Sequence, residues 1–199
     1  MEKLSKRQLK GIETKIRITR TALELFKSRG FNDVTVRDIC SSASISIGSF
    51  YHHFESKEEI INTAHKQLDK LWEERIANFK YQKNVKENIL YLFEEAGMVM
   101  QELGWEMTAH SYVHLLTSLK KYATQTDRPI YVHLRSVIAV GILEDYFKPE
   151  TDVETLTNLL VRSARGVLFD WCLNDGEYSL PQKLRSDLSI ILDDRKSTR

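Results

Sequence analysis

Proline is scarce in this chain. Pro129, Pro149 and Pro181 are the only three in 199 residues, so little interrupts a helix and apolar spacing can be read over long windows. Cysteine is scarcer still. Cys40 and Cys172 lie far apart with no CxxC partner, which excludes a disulfide framework and a thiolate zinc site and leaves two buried free thiols as the expectation. Long apolar runs are missing too. The longest, near "SVIAVGIL", is far too short to cross a bilayer, and the opening "MEKLSKRQLKG" is charged, so the expectation is an unanchored, cytoplasmic protein. A glycine-rich phosphate loop and a nucleophile motif are also absent, which removes the commonest signs of an enzyme.

What is present is an ordinary globular balance, 42% hydrophobic and 29% charged, enough for one or two packed domains. The charge is unevenly placed. The first 57 residues hold 11 of the 29 Lys and Arg but 6 of the 28 Asp and Glu, leaving +5 there and −4 in the remainder. A basic segment joined to an acidic body fits a protein of which one part meets a polyanion.

Nearly every segment reads with the helical period, so the expected fold is all-α. A first helix from Ile12 closes near Arg29, where Gly30 suits the left-handed residue past a helix end. "TVRD" sets Thr35 as an N-cap with Asp38 three residues on, and "SKEE" sets Ser56 as another with Glu59. Ser46 caps a short helix whose expected inner stripe is Ile47, Phe50 and Phe54. The result is a helix over 36–43, a link over 44–46 and a helix over 47–53, the spacing of a helix-turn-helix, though the link has no glycine. Longer helices are expected over 57–80, 85–103, 105–119, 129–147, 153–173 and 181–192, with "DDRKSTR" a frayed tail.

The stretch "ISIGSFYHHF" places His52 beside His53, which suggests a metal or catalytic cluster. Neighbours on a helix point about 100° apart, so the pair does not readily chelate one ion. With Phe50 and Phe54 inward, Ser46, Ser49 and His53 form an outward polar line flanked by His52, a surface suited to contact rather than chemistry.

Residues 14–61 resemble the DNA-binding domain of TetR-family transcriptional regulators. The resemblance rests on Ala22, Leu25-Phe26, Gly30-Phe31, Thr35, Asp38-Ile39, Ala43, Ser46, Gly48, Tyr51, His53-Phe54 and Lys57 at the family's spacing, with Cys40 standing where alanine is common. It implies a three-helix DNA-binding domain over 1–56 with a basic arm (Lys3, Lys6, Arg7, Lys10, Lys15), and a larger helical ligand-binding and dimerisation domain over 57–199. It further implies a regulator and not an enzyme, most simply a repressor released from its operator by a small-molecule effector, with no cofactor or bound metal. Thr35, Ser46, Tyr51, His53 and Lys57 would contact phosphates, Gly48 would admit close approach, and Arg37 is a further DNA candidate. Ser49 and His52 are the candidates for base edges and Ile47 for a thymine methyl, but no Arg, Asn or Gln stands there to define an operator sequence.

The effector pocket is expected among the middle helices, with Phe93, Met100, Trp105, His110, Tyr112, His114 and Tyr131 as candidate lining. Glu106, His110 and His114 also repeat at metal-binding helical spacing, which leaves a metal-dependent enzyme as the rival reading. A homodimer seam is expected from Leu156, Leu160, Ala164, Val167, Trp171, Leu184 and Leu188 on the last two helices, with Gly166 allowing close approach. Two-fold symmetry would then require a near-palindromic double-stranded operator with half-sites about 34–36 Å apart or a multiple of that. The long helix from Lys57 would act as the lever between pocket and DNA.

Overall fold

The structure, a computed structural model, describes residues 5–117 and 122–194. Its described elements are α1 (Lys6–Arg29), α2 (Val36–Ser42), α3 (Ile47–His53), α4 (Lys57–Ile76), α5 (Val85–Leu103), α6 (Trp105–Thr117), α7 (Pro129–Leu143), α8 (Val153–Leu173) and α9 (Leu180–Asp194), with a 3-10 turn at Tyr122–Thr124. Among the described residues there is no strand, and no helix is long and apolar enough to cross a membrane.

Local chemistry explains where the helices start and stop. α1 begins well before Ile12 because Ser5 and Gln8 form a reciprocal capping box, so Lys10 and Lys15 of the expected arm are helical, while Lys3 lies outside the described residues. Ile12 and Ile16 are exposed, and the buried face of α1 is instead Ile18, Thr19, Ala22 and Phe26. Ser56 makes no side-chain cap on α4; Glu59 accepts from the Glu55 backbone N–H at 2.6 Å instead. α4 ends at Ile76, short of Lys80, and α7 ends at Leu143. The second difference has a clear cause. Asp145 turns left-handed (φ 57°), and Tyr146 and Phe147 both donate to the Gly141 carbonyl, folding Phe147 back onto the helix. A Cβ at Gly141 would stand 2.8 Å from the Phe147 ring. Of the expected tail, Asp193 and Asp194 still belong to α9, and 195–199 lie outside the described residues.

Two cores result. The smaller joins Phe26, Phe31, Phe50 and Phe54 from the N-terminal helices to Ile60 and Ile61 of α4 and to Met107 of α6. The larger is built by α4, α5, α7, α8 and α9 around Trp72, Ile89, Leu134, Leu160 and Leu188. α5 and α9 pack closely: a Cβ at Gly97 would lie 2.8 Å from Leu184 Cδ1 and 3.0 Å from Pro181 Cα. Arg185 of α9 ties the same pair together through Glu94 at 2.6 Å and through Glu87.

This packing also places the residues expected at the seam. Leu156, Leu160, Ala164, Trp171, Leu184 and Leu188 are all buried inside the single chain, and Val167 packs half-buried against the same core. Within the chain, α5 and α7 cover the wide apolar stripe of α8 and α9. Of the small pair, Ala164 is buried and Gly166 is exposed with open space beside it.

Candidate nucleic-acid interface and effector cavity

The N-terminal face is organised by caps. The Thr35 hydroxyl donates to Asp38 Oδ2 at 2.5 Å and accepts from the Asp38 backbone N–H at 3.2 Å. The hydroxyl bond and the Thr35 backbone N–H, which donates to the same Asp38 Oδ2 at 2.8 Å, hold the Asp38 carboxyl below its ordinary range together with the nearby Arg29. Ser46 caps α3 through Ser49 N–H at 3.1 Å, and the turn before it uses Ser44 in the left-handed region (φ 53°), a conformation for which glycine is the usual choice.

On α3, Phe50 and Phe54 are fully buried, while Ile47 is 46% exposed rather than inward. Helical side chains lean toward the N-terminus, so a residue in the first turn of a seven-residue helix leans past the end of the core. The outward surface is therefore Ile47, Gly48, Tyr51 and His52, with Ser46 at its start and Arg37 exposed on α2; Ser49 and His53 are half-buried at its edge. The His52 and His53 rings meet edge to face at 5.1 Å. Burial, then the charges of His52 and Lys15, lower the His53 pKa, so its neutral form is favoured.

The Lys57 ammonium is engaged within the chain. It donates to the carbonyls of Phe31 (2.8 Å) and Val34 (2.9 Å) and lies 4.4 Å from the Phe31 ring centre. Two of its three donors thus close the α1–α2 loop onto the start of α4.

Between α4, α5, α6, α7 and α8 lies a cavity of about 310 Å³. Phe93, Met100 and Tyr112 line it as expected residues, joined by Trp72, Leu168 and, from the expected seam, Ala164 and Leu184. Its polar lining includes Thr108 and Ser111, whose hydroxyls donate back to Gly104 and Met107 carbonyls, and the Asp69–Arg128 ion pair at 2.6 Å. Tyr122 donates to the same aspartate at 2.8 Å; burial, then that bond, push its phenol up to about 12. Tyr112 donates to the Arg165 carbonyl, and its own phenol is raised chiefly by burial.

Other candidates fall elsewhere. Tyr131 is buried one layer behind the wall, its hydroxyl accepting from Arg165 Nη2 at 3.0 Å. Trp105 is half-buried against Gly176, outside the lining. His110 is not part of the cavity lining and packs tilted against Phe31, ring centres 4.9 Å apart; burial, and then Lys57, lower its pKa against the opposing pull of Glu106. The His114 side chain lies outside what the structure describes. Among the described residues no three His, Cys, Asp or Glu gather as a metal site.

α6 therefore has two faces. Thr108, Ser111 and Tyr112 wall the cavity, while Met107 sits in the N-terminal core and His110 lies on Phe31. α4 spans the same two regions, from Ile60 and Ile61 in the small core to Leu68, Asp69 and Trp72 at the cavity.

A seven-residue helix presented outward from a capped three-helix unit, ahead of a helical body that holds a cavity, is a helix-turn-helix architecture. The sequence model described as "Bacterial regulatory proteins, tetR family" matches residues 18–64, the segment that holds the short helices and their caps. The chain is 29% identical over 181 residues to the HTH-type transcriptional repressor KstR2 of Mycobacterium tuberculosis, covering 86% of this chain and 87% of that one. In structure it resembles a TetR-family regulator from Pectobacterium atrosepticum (TM-score 0.77, 20% identity, 96% of this chain and 98% of the other). It also resembles the Thermus thermophilus repressor FadR, solved with lauroyl-CoA (TM-score 0.65, 17% identity, 93% and 98% covered).

Sequence reasoning missed His65, Asp69, Arg128 and Arg165 of the cavity wall. One signal was available. His65 and Asp69 interrupt the inward stripe of α4 at helical spacing with Ile61, Leu68 and Trp72, and a polar residue on a buried stripe needs a partner or a ligand.

Proposed function

We propose that the protein is a ligand-released transcriptional repressor that binds a near-palindromic operator as a homodimer, residues 1–56 gripping DNA and 57–199 holding effector and partner. The observation that carries this reading is the double role of α6: a molecule filling the cavity must press on the helix whose other face supports Phe31 and the N-terminal core. Such a ligand shifts the population toward the arrangement it fits, and by linkage lowers DNA affinity as much as DNA lowers its own. The repressor name of KstR2 and the lauroyl-CoA bound by FadR support repression and a cavity effector.

DNA contact falls to Gly48, Tyr51 and His52 at the centre, with Ile47 set for a thymine methyl, Ser46, Ser49 and His53 alongside, and Thr35 and Arg37 at the flank. The dimer seam uses the outer stripe of α8, where Leu159, Gly166 and Leu173 follow at seven-residue spacing, together with the exposed Ile190 of α9.

The test is a gel-shift against DNA upstream of the protein's own gene, titrated with salt. Retention that falls log-linearly with salt is expected, weakened in His52→Ala. No retention at low ionic strength overturns the reading. In light scattering, Leu173→Glu yields monomers; a dimer unaffected by it overturns this seam.

A further inference from the structure

We infer that the cavity takes an uncharged two-ring molecule bearing a hydroxyl, a phenol or an alcohol, with that hydroxyl set against Thr108 and Ser111 of α6. The inference rests on the effector reading above and names the chemistry of that site.

Hydrogen-bond direction carries the argument. The Thr108 hydroxyl lies 2.9 Å from the Gly104 carbonyl, and the Ser111 hydroxyl lies 2.9 Å from the Met107 carbonyl. A carbonyl oxygen has no hydrogen to give, so in each pair the hydroxyl must be the donor. The same holds for Tyr112, which donates to the Arg165 carbonyl at 3.0 Å, and for the Trp72 indole, which donates to the Leu92 carbonyl at 3.0 Å. These four side-chain donors of the wall are committed to backbone. The three hydroxyl oxygens keep lone pairs, so what they offer a ligand is an acceptor.

Such a surface sorts ligands by what they can give. A ligand hydroxyl donates to Thr108 or Ser111 Oγ and leaves both carbonyl bonds intact. A ketone, an ether or a carboxylate brings only acceptors. To bond with one, a wall hydroxyl must turn from its carbonyl, exchanging one bond for another with no gain. Thr108 and Ser111 are both more than nine-tenths buried, so an acceptor left unpaired against them loses its hydration without return. The charged side chains of the wall are engaged within the chain. Arg128 holds Asp69 through Nη2 to Oδ1 at 2.6 Å and Nε to Oδ2 at 2.9 Å, and Arg165 Nη2 donates to the Tyr131 hydroxyl at 3.0 Å.

Size and surface set the body. Trp72, Phe93, Met100 and Leu168 present ring faces, sulfur and hydrocarbon, which reward a flat apolar skeleton. A cavity of about 150 Å³ is enough to bind benzene. The space of about 310 Å³ here therefore has room for two rings.

The experiment is calorimetric titration of the full chain with four probes on one skeleton: 2-naphthol, 2-methoxynaphthalene, 2-acetylnaphthalene and 2-naphthoate. 2-Naphthol is expected to bind about tenfold tighter than the ether or the ketone, with 2-naphthoate weakest. The double variant Thr108→Val, Ser111→Ala keeps the wall's shape and removes the two acceptors, so 2-naphthol should fall to the level of the ether while the ether is held as before. Parity of 2-naphthol and the ether in the wild type overturns the inference, as does 2-naphthoate binding best or silence of every probe. So does a preference unchanged in the double variant. Should that variant not fold, the wild-type order of the four probes still decides. The DNA gel-shift is run on the same samples: a protein that prefers 2-naphthol yet never retains DNA refutes the repressor reading alone, and one that retains DNA without that preference refutes only the hydroxyl assignment.

Discussion

The N-terminal unit closes its small core with rings. Phe26, Phe50 and Phe54 are at most 1% exposed, and Lys57 latches the loop above them. The larger unit has far more apolar surface to bury and yet leaves about 310 Å³ between its helices. Close packing is the default for protein interiors, so a retained apolar space forgoes dispersion energy that the smaller unit collects in full. The difference teaches a division of labour. One region is packed to a single shape, and the other retains open space.

The largest effect should come from opening the filled core. Phe50→Ala should cost about 3–5 kcal/mol and abolish DNA retention. Leu168→Ala, whose side chain already borders empty space, should fall at or below the low end of the Leu→Ala range, about 2 kcal/mol. Denaturant unfolding of the two variants measures the contrast, and equal losses would erase it.

Overfilling probes the same contrast from the other side. Gly97→Ala places a methyl against Pro181 backbone and should cost about 1–3 kcal/mol, because the α5–α9 contact cannot give as the cavity wall can. Thermal unfolding should show a lower midpoint. An unchanged one would mean that α9 moves freely.

Lys57→Ala follows. Sequence reasoning expects it to weaken binding to all DNA alike and flatten the salt dependence by about one unit. The two carbonyl bonds predict instead a stability loss of about 1–3 kcal/mol with the salt slope retained. A measured slope change would return Lys57 to the phosphate contacts.

The smallest effect concerns the join between the units. Folding lowers the His110 pKa, so its neutral form is the one the fold prefers. Its contribution is therefore complete above its unfolded value of about 6.5 and is lost as pH falls through the lower folded value. Unfolding followed against pH should show a steeper acid-side decline for the wild type than for His110→Gln. Parallel curves would mean that the contact with Phe31 carries no proton linkage.

Much of the fold was legible because capping and periodicity act within a few residues. The span of α5, the Thr35 and Ser46 caps and the start of α7 at Pro129 all follow from neighbours in the chain. The outward face of α3 was legible in outline, but Ile47 was misplaced because a short helix can end outside its own core. The cavity was legible only in part. Phe93, Met100 and Tyr112 were found as large apolar or amphipathic residues on middle helices, whereas Asp69 and Arg128 acquire meaning only by meeting each other.

The seam of α8 and α9 marks the boundary most plainly. The sequence by itself determined that these helices carry a broad apolar stripe needing cover, since periodicity depends on the chain's own order. It could not say whose surface supplies that cover. Only the tertiary structure decided that α5 and α7 of the same chain do so, and that α6 turns one face to the cavity and the other to the N-terminal core. The reason is physical: burial rewards apolar contact without regard to its source, and which partner arrives is settled by how whole helices pack.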